Sequence, residues 1–273
     1  MGKIVFLDID GTLVDFHQRM PDSAKAALQK AKENGHKMVI CTGRTYTNIY
    51  PWLLEFPFDA VVASAGAYIR VQQKTIYHHT LDSVKVRQLV QLLQKHHAYY
   101  LLQGINAQYA TKEDEKRIGD FFASQGFDSR KVLNGMTIVE NPAEQELLES
   151  IMYFEADVRV EVLQEEIKRE LDGYFTVAGA SFGGDREYTG ELTRCGETKS
   201  SGMRRLIEYL GMKPEDTVAV GDGPNDFEMI DFAAVGVVME NGIPELKKHA
   251  DYITSSINED GIYNAFRYLG LIR

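Results

Sequence analysis

The sequence predicts an α/β protein: a doubly wound, parallel-sheet core interrupted by an inserted α+β domain. Three observations carry this expectation. Short, unalternating apolar runs such as Ile4-Val5-Phe6-Leu7 recur, as strands buried on both faces require. Helical periods alternate with those runs in the first and last thirds of the chain. Between them lies a stretch of different rhythm, far longer than the roughly 2–6 residues of a plain βα connection.

The elements follow in order. Residues 4–7 form the first buried strand. A helix runs from Pro21-Asp22 to about Asn34, because Ala24, Ala27, Leu28 and Ala31 share a face and Gly35 supplies the stop. Residues 38–41 are a second strand, 46–54 a helix and 60–63 a third strand. Residues 68–71 and 75–77 read as a hairpin, and 83–95 as an amphipathic helix. Strand candidates at 99–102, 137–139, 151–154 and 174–178 then mix with helices at 113–124 and 159–171, the pattern of an antiparallel α+β unit. From Thr198 the first rhythm returns. A helix covers 198–210, a strand 217–220, a helix 226–232 and a strand 235–238. A helix near 244–249, a short strand near Tyr252 and a terminal helix from about Glu259 complete it. The expected division is a core of 1–81 and 188–273 with an insert of 82–187.

Composition narrows the function. The 273 residues are 44% hydrophobic and 26% charged, ordinary values for a globular chain. The formal charge of −10 argues against a nucleic-acid binder, which needs a basic face. Two cysteines, Cys41 and Cys195, cannot make a disulfide framework, so a reducing, cytoplasmic setting is expected. The first apolar run is too short for a signal peptide, and no run approaches a membrane span. Neither a Gly-x-Gly-x-x-Gly after the first strand nor a P-loop pattern is present, which counts against dinucleotide oxidoreductases and P-loop NTPases.

Four segments carry chemistry, and each follows a strand or opens a helix. Asp8-Ile9-Asp10-Gly11-Thr12 places two carboxylates at the end of the first strand, where open α/β sheets bind ligands, and Gly11 lets the backbone approach one closely. Gly221-Asp222-Gly223-Pro224-Asn225-Asp226 follows another buried strand at the same sheet edge. Two acidic clusters converging there repel one another unless a cation lies among them, and oxygen-only donors suit Mg²⁺. Cys41-Thr42-Gly43-Arg44 offers a hydroxyl, backbone N–H groups and a guanidinium for an anion. Lys199 sits in the first turn of a helix, against the helix dipole. Taken singly, each also reads as ordinary turn or surface chemistry.

Taken together and in order, the four segments resemble motifs one to four of the haloacid dehalogenase (HAD) superfamily. The chain resembles its Cof-type phosphatases, which carry a type IIB cap on a Rossmann-like core. Asp8 and Asp10 match the first motif, Thr42 the second, Lys199 the third, and Asp222, Asn225 and Asp226 the fourth. Two departures stand out. Ser64-Ala65-Gly66-Ala67 replaces the usual Asn-Gly-Ala ending of the third strand, and Ser200 rather than Gly follows Lys199.

The resemblance implies roles. Asp8 is the nucleophile that takes the phosphoryl group, and Asp10 is general acid and then base. Asp8, the backbone carbonyl of Asp10, Asp222 and Asp226 hold Mg²⁺. Thr42, Lys199, Gly11 and Asn225 surround the phosphate, with Arg44 reaching it or the leaving group. The cap closes over the site and contacts the leaving group; its specificity loops carry no readable motif, and the candidates there, Tyr109, Arg117, Arg130 and the loop 179–184, read first as surface or turn residues. The expected activity is Mg²⁺-dependent hydrolysis of a small phosphorylated metabolite, a sugar phosphate foremost, with neither nucleic acid nor membrane as partner. A phosphomannomutase-like phosphotransferase and a non-catalytic phosphometabolite sensor are the alternatives. The pairs His78-His79 and His96-His97 read as surface histidines, and Trp52 as core packing.

Overall fold

The computed structural model describes residues 2–15, 17–124, 126, 128–133, 135–179 and 188–273. The chain opens with β1 (Ile4–Leu7), α1 (Asp22–Glu33), β2 (Lys37–Cys41), α2 (Pro51–Leu54), β3 (Ala60–Ala63) and the hairpin β4 (Tyr68–Val71) and β5 (Lys74–His78). It continues through α3 (Ser83–Lys95), β6 (Tyr99–Gly104), β7 (Gln108–Ala110), α4 (Lys112–Ser124), α5 (Ser129–Val132), β8 (Met136–Ile138), β9 (Leu148–Phe154), α6 (Val160–Glu170), β10 (Phe175–Gly179) and β11 (Gly190–Arg194). Last come α7 (Lys199–Leu210), β12 (Thr217–Gly221), α8 (Phe227–Phe232), β13 (Val235–Met239), α9 (Pro244–Lys247), β14 (Tyr252–Thr254) and α10 (Gly261–Tyr268).

These elements form two compact units: Met1–His78 with Glu197–Arg273, and His79–Gly196. In the first, eight strands lie in the order β14-β13-β12-β1-β2-β3-β4-β5. The strands from β14 to β3 pair in parallel, and β4 and β5 add an antiparallel edge. All four residues of β1 are buried, which explains their unbroken apolar run. In β1, Leu7 registers with Ile40 on one side and Val220 on the other. Asp8, Thr42 and Asp222 therefore leave neighbouring strands at one edge of the sheet. The core is filled by residues such as Phe6, Val39, Val62, Met203, Leu206 and Ile230.

The second unit holds a six-stranded sheet in the order β10-β11-β9-β6-β7-β8. One face packs α3 and α6 through Leu89, Leu93, Leu163 and Ile167. On the other, Tyr99, Leu101, Met152 and Phe154 meet Ile118, Phe121 and Phe122 of α4.

Three expectations are corrected here. Residues 46–54 are not one helix: a 3₁₀ turn at Tyr46–Asn48 and α2 are separated by the extended Ile49 and by Tyr50. Pro51 disfavours helical backbone in the residue before it. Strands β7 and β11 lie outside the expected set. Placing residue 188 onward in the core misassigns β11, which pairs with β9 and β10 in the second sheet.

Candidate active site

Asp8 follows β1 directly, and its N–H donates to the Val220 carbonyl at 3.0 Å, continuing the ladder to β12. Asp8 is buried, 6% exposed. Lys199, the first residue of α7, is 1% exposed and extends its ammonium between two carboxylates. Its Nζ lies 2.6 Å from Oδ1 of Asp8 and 2.6 Å from Oδ1 of Asp226. Thr198 caps the helix in a reciprocal box with Ser201, so the helix start that carries Lys199 is locally satisfied.

Asp226 is fully buried, and its second oxygen accepts the N–H groups of Asp222 and Gly223, each at 2.9 Å. Asp222 accepts the Thr12 hydroxyl at 2.7 Å. Against Asp222 runs the turn after β1. Gly11 has φ +82°, and a Cβ there would stand 2.1 Å from Asp222 Oδ2, so only glycine fits. The Gly11 carbonyl accepts Asn241 Nδ2 at 2.8 Å, while Asn241 Oδ1 accepts the N–H of Ile257. Asn241 thus ties the first motif to the far end of the chain. It carries no motif signal, and only the tertiary fold reveals it.

Electrostatics follow from burial. Desolvation pushes the Asp8 carboxyl well above its ordinary value; Lys199 opposes this, and Asp226, Asp222 and Asp10 add to it. Burial, with Asp226 beside it, pushes Asp222 up to about 7. Burial works to lower the Lys199 ammonium, but the charges of Asp226 and Asp8 prevail and hold it above its ordinary value. Desolvation also raises the buried Cys41 thiol, which is thereby inert as a nucleophile.

Asp8, Asp222 and Asp226 each offer a carboxylate oxygen, and these atoms lie within 4.8 Å of one another. When all three are ionised, three carboxylates against one ammonium leave two negative charges. That surplus and the all-oxygen donor set fit a hard divalent cation such as Mg²⁺.

Asp10 lies outside this cluster. Arg44 Nε and Nη2 fork onto its Oδ2 and Oδ1 at 2.6 and 2.8 Å. Burial works against the Arg44 charge, but Asp10 and its hydrogen bonds hold the guanidinium above its ordinary value. Arg44 also lies over the Tyr50 ring at 4.6 Å and donates to the Tyr50 hydroxyl. Thr42 is buried, and its hydroxyl accepts the Arg44 N–H at 3.1 Å. Asn225 sits half-buried in the same turn as Asp226. Thus Asp8, Lys199, Asp222 and Asp226 converge directly, while Asp10, Thr42 and Arg44 form an adjoining hydrogen-bonded group.

Other candidates have structural work. Tyr109 packs against the second unit's core, Arg117 covers the Tyr99 ring at 4.3 Å, and exposed Arg130 pairs with Asp128. Of the loop 179–184, residues 180–184 lie outside the described residues. Trp52 is 37% exposed and stacks on Tyr50, so it is not core. His96 is no free surface group either: its Nε2 meets Glu166 Oε2 at 2.5 Å.

An open parallel sheet with a lysine-anchored acidic cluster at its strand ends, and a domain inserted beyond its third strand, defines a class of α/β hydrolases. The chain belongs to the haloacid dehalogenase-like hydrolases, whose family model matches residues 5–266. It is 27% identical to YkrA of Bacillus subtilis over 274 residues, covering 100% of this chain and 99% of that one. It is 28% identical over 270 residues to YitU of the same organism, named a 5-amino-6-(5-phospho-D-ribitylamino)uracil phosphatase, covering 95% and 94% of the two chains. Among solved structures, the HAD subclass IIB sugar phosphatase BT4131 matches at TM-score 0.80 and 26% identity, covering 99% of this chain and 100% of that one.

Proposed function

We propose that the protein is a Mg²⁺-dependent phosphatase of small phosphorylated metabolites, sugar phosphates foremost, acting through an aspartyl-phosphate on Asp8. One observation carries the reading: a buried ammonium shared at 2.6 Å between Asp8 and Asp226, beside Asp222. A carboxylate so held is oriented for attack, and the ammonium's charge opposes the effect of its burial. The phosphatase names of relatives such as YitU and BT4131 support the same reaction class.

Asp8 attacks phosphorus in line, forming a P–O bond as the bond to the leaving oxygen breaks. Asp10, two residues on, delivers a proton to that oxygen. In the second step Asp10 takes a proton from water, whose oxygen attacks phosphorus and breaks the bond to Asp8. Lys199 and the Thr42 hydroxyl stabilise the non-bridging oxygens, with Gly11 and Asn225 at the rim. Arg44 holds Asp10 in place. Asp8, Asp222, Asp226 and the Asp10 backbone carbonyl would hold Mg²⁺, which when bound supplies positive charge against the carboxylates and the phosphoryl oxygens. Two unpaired cysteines fit a reducing cytoplasm.

The test is a phosphate-release screen across sugar phosphates, nucleotides and cofactor phosphates. Wild-type protein should turn over at least one class with Mg²⁺, fall silent with EDTA and recover on adding Mg²⁺ back. Asp8→Asn should lose at least about 10³-fold in kcat. Robust turnover by Asp8→Asn, or activity indifferent to chelation, would sink the assignment. A hexose bisphosphate isomerised without stoichiometric phosphate would favour a mutase.

A further inference from the structure

The chain leaves the first unit after His78 and re-enters it at Glu197. One carboxylate fastens both crossing points within that unit. Glu197 is 4% exposed. Its Oε1 accepts the Tyr77 hydroxyl at 2.7 Å, and its Oε2 accepts Arg205 Nη1 at 2.6 Å. Arg205 lies 4.2 Å over the Tyr77 ring, and Nη1 also donates to Ser201 Oγ at 3.0 Å and to the Gly66 carbonyl at 3.4 Å. The outgoing strand β5, the turn after β3 and the first turns of α7 are thereby joined through one ion pair. Contact between the last two is backbone to backbone. A Cβ on Gly66 would stand 2.3 Å from the Thr198 carbonyl.

The helix start does not need this pair, because Thr198 and Ser201 already cap it. A buried ion pair is weak evidence for stability, since desolvation opposes its attraction. What it fixes is geometry, and two residues after Glu197 stands Lys199. We propose that Glu197, with Arg205 and Tyr77, is a positioning residue that holds Lys199 Nζ between Asp8 and Asp226. It insulates that ammonium from displacement transmitted along either crossing segment. The proposal rests on the phosphatase reading for its kinetic consequence, but not for its structural one.

The experiment therefore uses two readouts on Glu197→Gln, Arg205→Met, Arg205→Lys and Tyr77→Phe. The first is steady-state hydrolysis of a substrate from the screen, well below each variant's melting temperature. Glu197→Gln and Arg205→Met should lower kcat about tenfold or more with KM little changed, as a displaced reacting group does. Arg205→Lys should restore part of the loss. The second readout is acetic anhydride labelling of Lys199 followed by mass spectrometry. Wild type should protect this lysine. Glu197→Gln should expose it while amide-exchange protection of β1 stays unchanged.

Wild-type protein inactive on every phosphomonoester would overturn the functional reading alone. Lys199 equally protected in folded Glu197→Gln and Arg205→Met would overturn the positioning role, as would unchanged kcat in both. Should Glu197→Gln not fold, Arg205→Lys and Tyr77→Phe carry the same two measurements.

Discussion

The Thr12 hydroxyl donates to Oδ1 of Asp222 at 2.7 Å, joining groups that are 210 positions apart in sequence. Burial pushes Asp222 up to about 7, and this hydrogen bond is one of the few influences that lower it. Removing the bond raises the carboxyl further, so protons compete better with a cation for it. A hydrogen bond to a charged group contributes about 1.5–3 kcal/mol, which is roughly tenfold or more in binding. Thr12→Val should raise the Mg²⁺ concentration for half-maximal activity by about tenfold, with activity recovering at saturating Mg²⁺. A Mg²⁺ titration of turnover checks it.

Lys199 pairs with two buried acids at once. Lys199→Met leaves both uncompensated and should destabilise the fold by about 3–5 kcal/mol, as well as silencing turnover. Adding Asp226→Asn should recover part of the stability and none of the activity. Urea unfolding of the single and double variants measures the first, and phosphate release the second.

Ala65 has φ +48°, a left-handed backbone without the glycine or asparagine that tolerates it. Ala65→Gly should therefore stabilise the protein, by about 0.5–1 kcal/mol once the added freedom of the unfolded chain is offset. A higher urea midpoint with an unchanged slope is the expected result.

His36 supplies a pH dependence distant from the acidic cluster. Its Nδ1 accepts the Lys3 N–H at 3.0 Å, and burial, with Lys3 nearby, pushes the ring below its ordinary 6.5. The folded state thus binds this proton less readily than the unfolded chain. Stability is fully present above 6.5 and is lost as the pH falls below that value towards the folded one. The urea midpoint should drop less on acidification in His36→Asn than in wild type.

The buried strands were legible because both faces are covered: Ile4–Leu7, Ala60–Ala63 and Thr217–Gly221 contain little but apolar and small residues. The acidic cluster was legible because its members sit beside those strands. Other features depend on contacts that spacing cannot carry. Gln108–Ala110 is half polar and partly exposed, so its strand character comes from its neighbours β6 and β8. Asn241 and Glu197 act through partners remote in sequence. Pro51 did carry a local signal, since it interrupts what otherwise reads as one helix.

The sheet order has a consequence for synthesis. β1 lies between β2 and β12, and the whole of His79–Gly196 must be translated before β12 exists. Until then the far side of β1 is an open ladder of unpaired N–H and C=O groups, a template for the wrong partner. Asp8 meanwhile has neither Lys199 nor Asp222 beside it. A chain on the ribosome therefore lacks the assembled acidic cluster over the same interval in which this edge of β1 is unpaired. Pairing of residues 217–220 covers that edge and brings Asp222 to the end of β1 beside Asp8.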